Sequence, residues 1–290
     1  MCKTKQLFSF FVISDIQLTE KNKVSHEKFT RALQDLNEIN PDASSLIING
    51  DLINDGRKES YYKFEEILIM SPHPKDVFFT IGNHEFFKND GNIASIDRFL
   101  EFSGLEKVYY EVEINDCSFL FLGTESWGPV GSPTKDSAVL SKEQLEWLED
   151  KVEKVKQQDK PVFVFLHQPI PFTLYGTDLE YYQNSIIHYQ ELIDILTKMD
   201  NVFFFSGHSH FDLRFPNMFV DTPFNMINTG AIYDTWGPDG KGGDTVIGSE
   251  GSQGLYVQVF TDHVSIRGRD FTNKKWIQEY QMNIPICKGN

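Results

Sequence analysis

Five short apolar runs in this chain each end on an aspartate, an asparagine or a histidine, and three of those ends lie beside a glycine. The runs are Leu7–Ser14, Leu46–Asn49, Val77–Ile81, Val162–Leu166 and Val202–Phe205. A continuous apolar run, without the alternation of a half-exposed strand, predicts a strand covered on both faces. Helical periodicity fills the intervals. Phe29, Ala32, Leu33, Leu36 and Ile39 share one helical face ahead of Pro41. Lys58–Met70, Ile93–Phe102 and His188–Met199 read as further helices. Ser141 with Gln144 forms a capping box that opens a helix striped by Leu145, Leu148, Val152 and Val155. Tyr109–Ile114 and Cys117–Leu122 predict a hairpin closed by Asn115-Asp116. The last third turns β-like near Met226–Ile232, Leu255–Phe260 and His263–Phe271, with Tyr233–Gln253 expected as an exposed, glycine-rich loop. Thr124–Val139 and Gln168–Gln183 read as loops. The pattern is α/β, without repeat or linker, and is expected to form one domain over residues 1–290.

In an open α/β sheet, ligands gather outside the carboxyl ends of the strands. The residues waiting there are Asp15 and Gln17, Asp51, Asn83 and His84, His167, and His208 with His210. Each alone has an ordinary structural explanation: a helix cap, a turn, a surface histidine. Five successive strand ends with the same chemistry form a different proposition. Carboxylates, carboxamides and imidazoles without thiolate suit divalent first-row metals. A pair of such ions about 3.5–4 Å apart is the usual device for displacement at phosphorus.

Charge agrees with a small ligand rather than a polyanion. The chain has 27 basic and 42 acidic residues, a net charge of -15. That excludes a nucleic-acid scaffold and a binder of anionic membranes, both of which need basic surface. A pair of divalent ions reverses the sign locally, because two ions bring +4 against Asp15, Asp51 and one hydroxide. The three cysteines, Cys2, Cys117 and Cys287, have neither disulfide nor zinc spacing. Leu7–Ile13 is too short to span a bilayer and lacks a small-residue cleavage site after it. A cytoplasmic protein with no membrane association is therefore expected.

The five blocks read Asp15-Ile16-Gln17, Gly50-Asp51, Gly82-Asn83-His84-Glu85, His167 and Gly207-His208-Ser209-His210. In content and order they resemble the calcineurin-like metallophosphoesterase superfamily, from Asp15 to His210. The resemblance implies a β-sandwich flanked by helices and a dinuclear centre. Asp15, Gln17 and His210 would hold one ion, and Asn83, His167 and His208 the other, with Asp51 bridging. His84 would stand outside the ions as the catalytic residue, facing the phosphate or the leaving-group oxygen. A bridging hydroxide would then hydrolyse a small phosphodiester, pyrophosphate or nucleotide-type phosphoester.

Gln17 departs from the family's usual histidine. Its amide oxygen is neutral and hard, which steers two divalent ions toward Mn, Fe or Mg rather than Zn, with Mn favoured. A manganese-dependent pyrophosphatase branch resembles this chain in carrying Asp-x-Gln. The run Asp51-Leu52-Ile53-Asn54-Asp55-Gly56-Arg57 also lacks the arginine spacing of the protein-phosphatase branch, and leaves Asn54 or Asp55 to orient His84. The alternatives are a phosphomonoesterase for phosphoproteins or sugar phosphates, and a non-catalytic module whose first metal site is weakened by Gln17. Trp127, Tyr175, Tyr181, Tyr182, Tyr233 and Trp236 fall in segments near the expected metal face, either packing the loops or stacking substrate. Glycines around Trp236 point to a segment able to close over substrate.

Overall fold

The structure, a computed structural model, describes residues 4–128, 136–156 and 159–286. The first strands form where the apolar runs lie: β1 (Gln6–Ile13), β2 (Ser45–Asn49) and β3 (Asp76–Thr80). The hairpin β4 (Tyr110–Ile114) and β5 (Cys117–Phe121) turns through Asn115 and Asp116, at φ 50° and 60°. Positive φ at both turn residues is what a two-residue hairpin with native twist demands. Next come β6 (Val162–Phe165) and β7 (Val202–Ser206). The last third adds β8 (Phe219–Val220), β9 (Asn225–Asn228), β10 (Thr235–Pro238), β11 (Asp244–Gly248), β12 (Gln253–Phe260), β13 (His263–Asp270) and β14 (Lys275–Pro285). Five helices, α1 (Lys23–Ile39), α2 (Lys58–Met70), α3 (Asn92–Ser103), α4 (Lys142–Val155) and α5 (Tyr189–Leu196), alternate with them.

Two six-stranded sheets result, ordered β14-β13-β12-β1-β2-β3 and β4-β5-β6-β7-β9-β8. Alternation along each strand assigns its side chains to two cores. Phe10, Val12 and Ile47 face Phe119, Phe121, Phe163, Phe165, Phe203 and Phe205 between the sheets. Phe10 meets the rings of Phe119 and Phe163 edge-on, each at 5.0 Å. Phe11, Ile13, Leu46 and Ile48 point the other way, against Phe29, Leu33 and Phe64 of α1 and α2. On the second sheet, Leu120, Val164 and Phe204 pack beneath Leu145, Leu148 and Val152 of α4 and Leu192 and Leu196 of α5. The molecule is thus a β-sandwich flanked by helices, in four layers. Among the described residues no helix is long and apolar enough to cross a membrane.

Two local details differ from the sequence reading. Ser141 accepts from the Gln144 N–H at 3.1 Å, but the return half of the capping box is absent. The Gln144 side chain instead bonds both backbone groups of Gly123, at 3.0 and 2.9 Å, and so ties α4 to the end of β5. The segment Tyr233–Gln253 is not an open loop but carries the hairpin β10–β11, with Pro238 opposite Asp244 and Trp236 opposite Val246. Its glycines sit in the turn, at the base and, as Gly237, within β10 itself, where they interrupt the pattern a strand is read from. Of the three cysteines, Cys117 is a buried free thiol, and Cys2 and Cys287 lie outside the described residues.

Candidate metal centre

Parallel pairing of β1 with β2 and β3, and of β5 with β6, β7 and β9, brings the carboxyl ends of both sheets to one edge of the sandwich. Asn49, at the end of β2, joins them. Its amide donates across the sandwich to the carbonyls of Leu166 and Phe205, both at 3.2 Å. Gly207 N–H donates to the His167 carbonyl at 2.9 Å. All eight residues expected at the site meet at this edge. Gln17, Asp51, Asn83, His84, His208 and His210 line a cavity of about 340 Å³. Asp15 and His167 lie beneath it, fully buried.

The contacts within the cluster are short. Asp15 Oδ1 is 3.2 Å from His210 Nε2 and 3.7 Å from His167 Nε2. Asp51 Oδ2 is 3.3 Å from His167 Nε2 and 3.6 Å from His84 Nε2. His208 Nδ1 meets Asn83 Oδ1 at 2.9 Å. The Gln17 amide sits 3.0 Å from His210 Nε2 and 3.3 Å from His84 Nε2. A half-turn of that amide would present its oxygen at the same place.

The backbone is bent to produce this convergence. Asp15, Gln17, Asp51, His208 and His210 all have φ between 46° and 68°. Non-glycine residues in that region cost about 1–3 kcal/mol each and persist only where surrounding contacts over-determine them. Neighbouring glycines make room. A Cβ on Gly82 would stand 2.2 Å from Asp51 Oδ1, and one on Gly207 2.5 Å from Asp15 Oδ2. This is the physical reason that glycine precedes Asn83 and His208, whose strand ends pass directly against these acids.

Buried carboxylates face buried imidazoles, and each side shifts the other. Burial opposes ionisation of Asp15 and Asp51, but His210 and His167 beside the first, and His167 and His84 beside the second, hold both below the ordinary carboxylate range. Burial works against a proton on His167 and His210, yet Asp51 and Asp15 raise the former to about 9, and Asp15 and Asp234 raise the latter to about 10. His208, buried and next to charged His167, falls to about 4.

The donor set fits a metal. Asp15, Asp51 and His210 offer ligand atoms within 4.8 Å of one another. His167 donates from Nδ1 to the Asn49 carbonyl at 2.9 Å, which fixes its tautomer and leaves Nε2 directed at the two carboxylates. That Nε2 is buried and has no hydrogen-bond partner. A nitrogen held between two buried acids needs an electropositive partner, a proton in the free protein or a metal ion in its place.

Several residues support the centre in ways the sequence reading did not assign. Asp234 accepts from His210 Nδ1 at 2.7 Å and from Trp236 Nε1 at 2.9 Å. Glu85 accepts from the backbone N–H groups of Asp51, Leu52, Ile53 and Gly82, holding the Asp51 loop in shape. The main-chain carbonyl of Asn54, rather than either side chain expected, meets His84 Nδ1 at 3.2 Å. Lys28, buried on α1, donates to the carbonyls of Tyr233, Ser249 and Gly251, and so anchors the base of β10–β11. A signal for Lys28 existed: it lies four residues before Ala32, on the apolar stripe of its helix. Of the six aromatics considered, Tyr181, Tyr182 and Trp236 line the cavity. Tyr175 stacks on Phe215, Tyr233 accepts from Asn22, and Trp127 donates to Asp136.

Asp234 provides a direct test. A carboxylate behind a ligating histidine is typically worth about 10–100-fold in metal affinity. Asp234→Asn is expected to weaken one of two bound ions by that factor in a calorimetric titration, leaving the other unchanged. Equal weakening of both would mean general loosening of the site.

A β-sandwich with this cluster at its strand ends is a phosphoesterase scaffold. The chain matches the family of calcineurin-like phosphoesterases over residues 8–212, and it belongs to that family. It is a metallophosphoesterase, a hydrolase of phosphoric esters. A relative from Arcobacter nitrofigilis, the probable glycerophosphodiester phosphodiesterase GpdQ, is 28% identical over 207 residues, which span 68% of this chain and 70% of the relative. A dimetal phosphatase from Danio rerio has the same fold, with a TM-score of 0.71 at 15% identity, covering 98% of this chain and 100% of that one. GAP50 of Plasmodium, described as the anchor in the inner membrane complex, also superposes, at TM-score 0.62 and 15% identity over 98% of this chain and 90% of its own. The two structures speak for the fold alone.

Proposed function

We propose that the chain hydrolyses a small phosphodiester using two divalent ions. Asp15, Gln17 and His210 would hold one, Asn83, His167 and His208 the other, and Asp51 would serve both. The observation that carries this reading is the fully buried Nε2 of His167, aimed between the carboxylates of Asp15 and Asp51 at 3.7 and 3.3 Å. When bound, the ions supply Lewis-acid charge for the phosphoryl oxygens and acidify the water nucleophile. Manganese is favoured because Gln17 offers a hard, neutral oxygen where imidazole would select softer ions. The cysteine usage favours a reducing, cytoplasmic setting.

The chain's own groups do the rest. His84 stacks on Phe87 with ring centroids 3.9 Å apart, and its Nδ1–H is directed at the Asn54 carbonyl, so Nε2 faces the cavity. Protonated there, it donates to the leaving alkoxide as that oxygen acquires charge. Asp51 Oδ2 lies 3.6 Å from that nitrogen. A diester is favoured over a monoester by the Arcobacter relative's name and by the absent arginine spacing after Asp51.

The test is refilling of the metal-stripped protein with Mn, Fe, Mg or Zn. Turnover of bis(p-nitrophenyl) phosphate is expected to return, most with Mn, and to exceed that of p-nitrophenyl phosphate. A higher rate on the monoester would overturn the diester assignment, and turnover indifferent to metal would overturn the two-ion reading.

A further inference from the structure

The wall of the cavity away from the strand ends has a chemistry of its own. Tyr182 packs edge-on against His208, with centroids 5.7 Å apart, and its hydroxyl donates to Asp244 Oδ2 at 2.6 Å. Tyr181 stacks on the same imidazole at 5.8 Å and donates to Asp136 Oδ2 at 2.7 Å. Burial, with Asp244 and Asp136 respectively, pushes both phenols well above their ordinary value, so they stay protonated donors. Opposite stands Trp236, its ring 5.9 Å from that of His210. Residues 236 and 244 lie on the same face of β10–β11, because Pro238 pairs with Asp244 and side chains alternate along a strand. The hairpin therefore delivers an indole and a carboxylate to one cavity. Among the described residues lining that cavity, none is lysine or arginine.

We propose that Asp244 is a specificity-determining residue, a charge filter that turns away a second negative charge on the substrate. This rests on the phosphodiesterase reading above. A diester carries one negative charge, which the centre at the strand ends neutralises. Its second alcohol then lies against Tyr182, Trp236 and Asp244. A neutral alcohol finds aromatic faces there, and a cationic one finds aromatic faces and a carboxylate. A carboxylate or further phosphate meets like charge in a partly desolvated cleft, with no lysine or arginine among the described lining residues to offset it. The substrate class is a monoanionic phosphodiester of a neutral or cationic alcohol, rather than a pyrophosphate or a nucleotide bearing further phosphates.

Three p-nitrophenyl phosphodiesters test this, their second alcohol being propyl, 3-ammoniopropyl or 2-carboxyethyl. The manganese-loaded protein is expected to show kcat/KM falling in the order ammonium, neutral, carboxylate, with about tenfold between the extremes. Asp244→Asn compresses that span to about twofold, Asp244→Glu restores it, and Glu143→Gln, an equal change in net charge on α4, leaves it as in the parent. A merely structural role for Asp244 would move all three substrates together and leave their ratio unchanged, overturning the filter. So would a preference for the carboxylate ester, or equal compression by Glu143→Gln. Turnover without discrimination sinks the filter alone, whereas no turnover of any of the three sinks the phosphodiesterase reading with it.

Discussion

His84→Ala is expected to lower kcat by about 10²–10⁴-fold on a dialkyl phosphodiester, the usual contribution of a positioned general acid. On a p-nitrophenyl ester the loss should shrink to roughly tenfold or less, because a phenolate of low basicity leaves with little need of a proton. Metal content should be unaffected. His84 is held from outside the cluster by the Asn54 carbonyl and the Phe87 ring, and Asp51 keeps His167 as a second neighbour at 3.3 Å. The measurement is a plot of log kcat against leaving-group pKa for both proteins, with metal stoichiometry determined on the same samples. A steeper slope in the variant identifies His84 as the proton donor. A parallel line displaced downward would assign it to binding the phosphoryl oxygens instead. Loss of an ion would make it a ligand and remove the acid role altogether.

What could be read from the sequence follows from how local each signal is. The five strand ends were legible because a buried strand is a continuous apolar run, and because the close approach of Asp51 and Asp15 to a neighbouring backbone leaves no room for a Cβ at Gly82 and Gly207. Each glycine stands directly before a candidate ligand of its own strand end, Gly82 before Asn83 and Gly207 before His208, although the acid it makes room for comes from another strand. Asp234, Asp244 and Asp136 were not legible. Each is one aspartate among many in an acidic chain, and its partner, His210, Tyr182 or Tyr181, lies 24, 62 or 45 positions away. The hairpin that carries Trp236 and Asp244 was hidden by its composition. Thr235-Trp236-Gly237-Pro238 has no alternation to recognise, and Gly240, Gly242 and Gly243 between the strands read as loop. Its order comes from outside itself, through the three carbonyls held by Lys28 and the Tyr182–Asp244 bond. Each residue of the centre is thus marked by its own strand end, whereas the cavity wall that would select a substrate is visible only in the tertiary structure. That division is why the reaction class could be inferred before the fold was seen and the charge preference could not.

Asp51→Asn carries the other large effect: loss of both ions and of all metal-dependent turnover, with the folded chain retained. Among the described residues Asp51 is the only carboxylate paired with both His167 and His84, and its amide replacement removes the charge while keeping the shape. The pH dependence of stability distinguishes this from unfolding. In the metal-free protein, Asp51 has a pKa held below its ordinary 3.8, so its stabilising contribution is present above about pH 4 and fades as pH falls. His167 has a pKa raised from 6.5 to about 9, so its contribution is complete below 6.5 and fades as pH rises through 9. The mutual support of the pair is greatest between those limits, which is also where a metal must displace a proton from His167 to bind. Stabilisation by added metal should therefore be small at pH 6 and grow toward pH 9. At 100 times the dissociation constant it amounts to about 2.7 kcal/mol, or roughly 4–5 °C in Tm for a chain of this size. In Asp51→Asn the metal-free protein should melt lower than wild type near pH 6, where the pair contributes most, and the rise with metal should vanish at every pH. A wild-type response to metal that is flat from pH 6 to 9 would show that His167 is not protonated in the metal-free protein. A rise retained in Asp51→Asn would show that Asp51 is not shared by the ions.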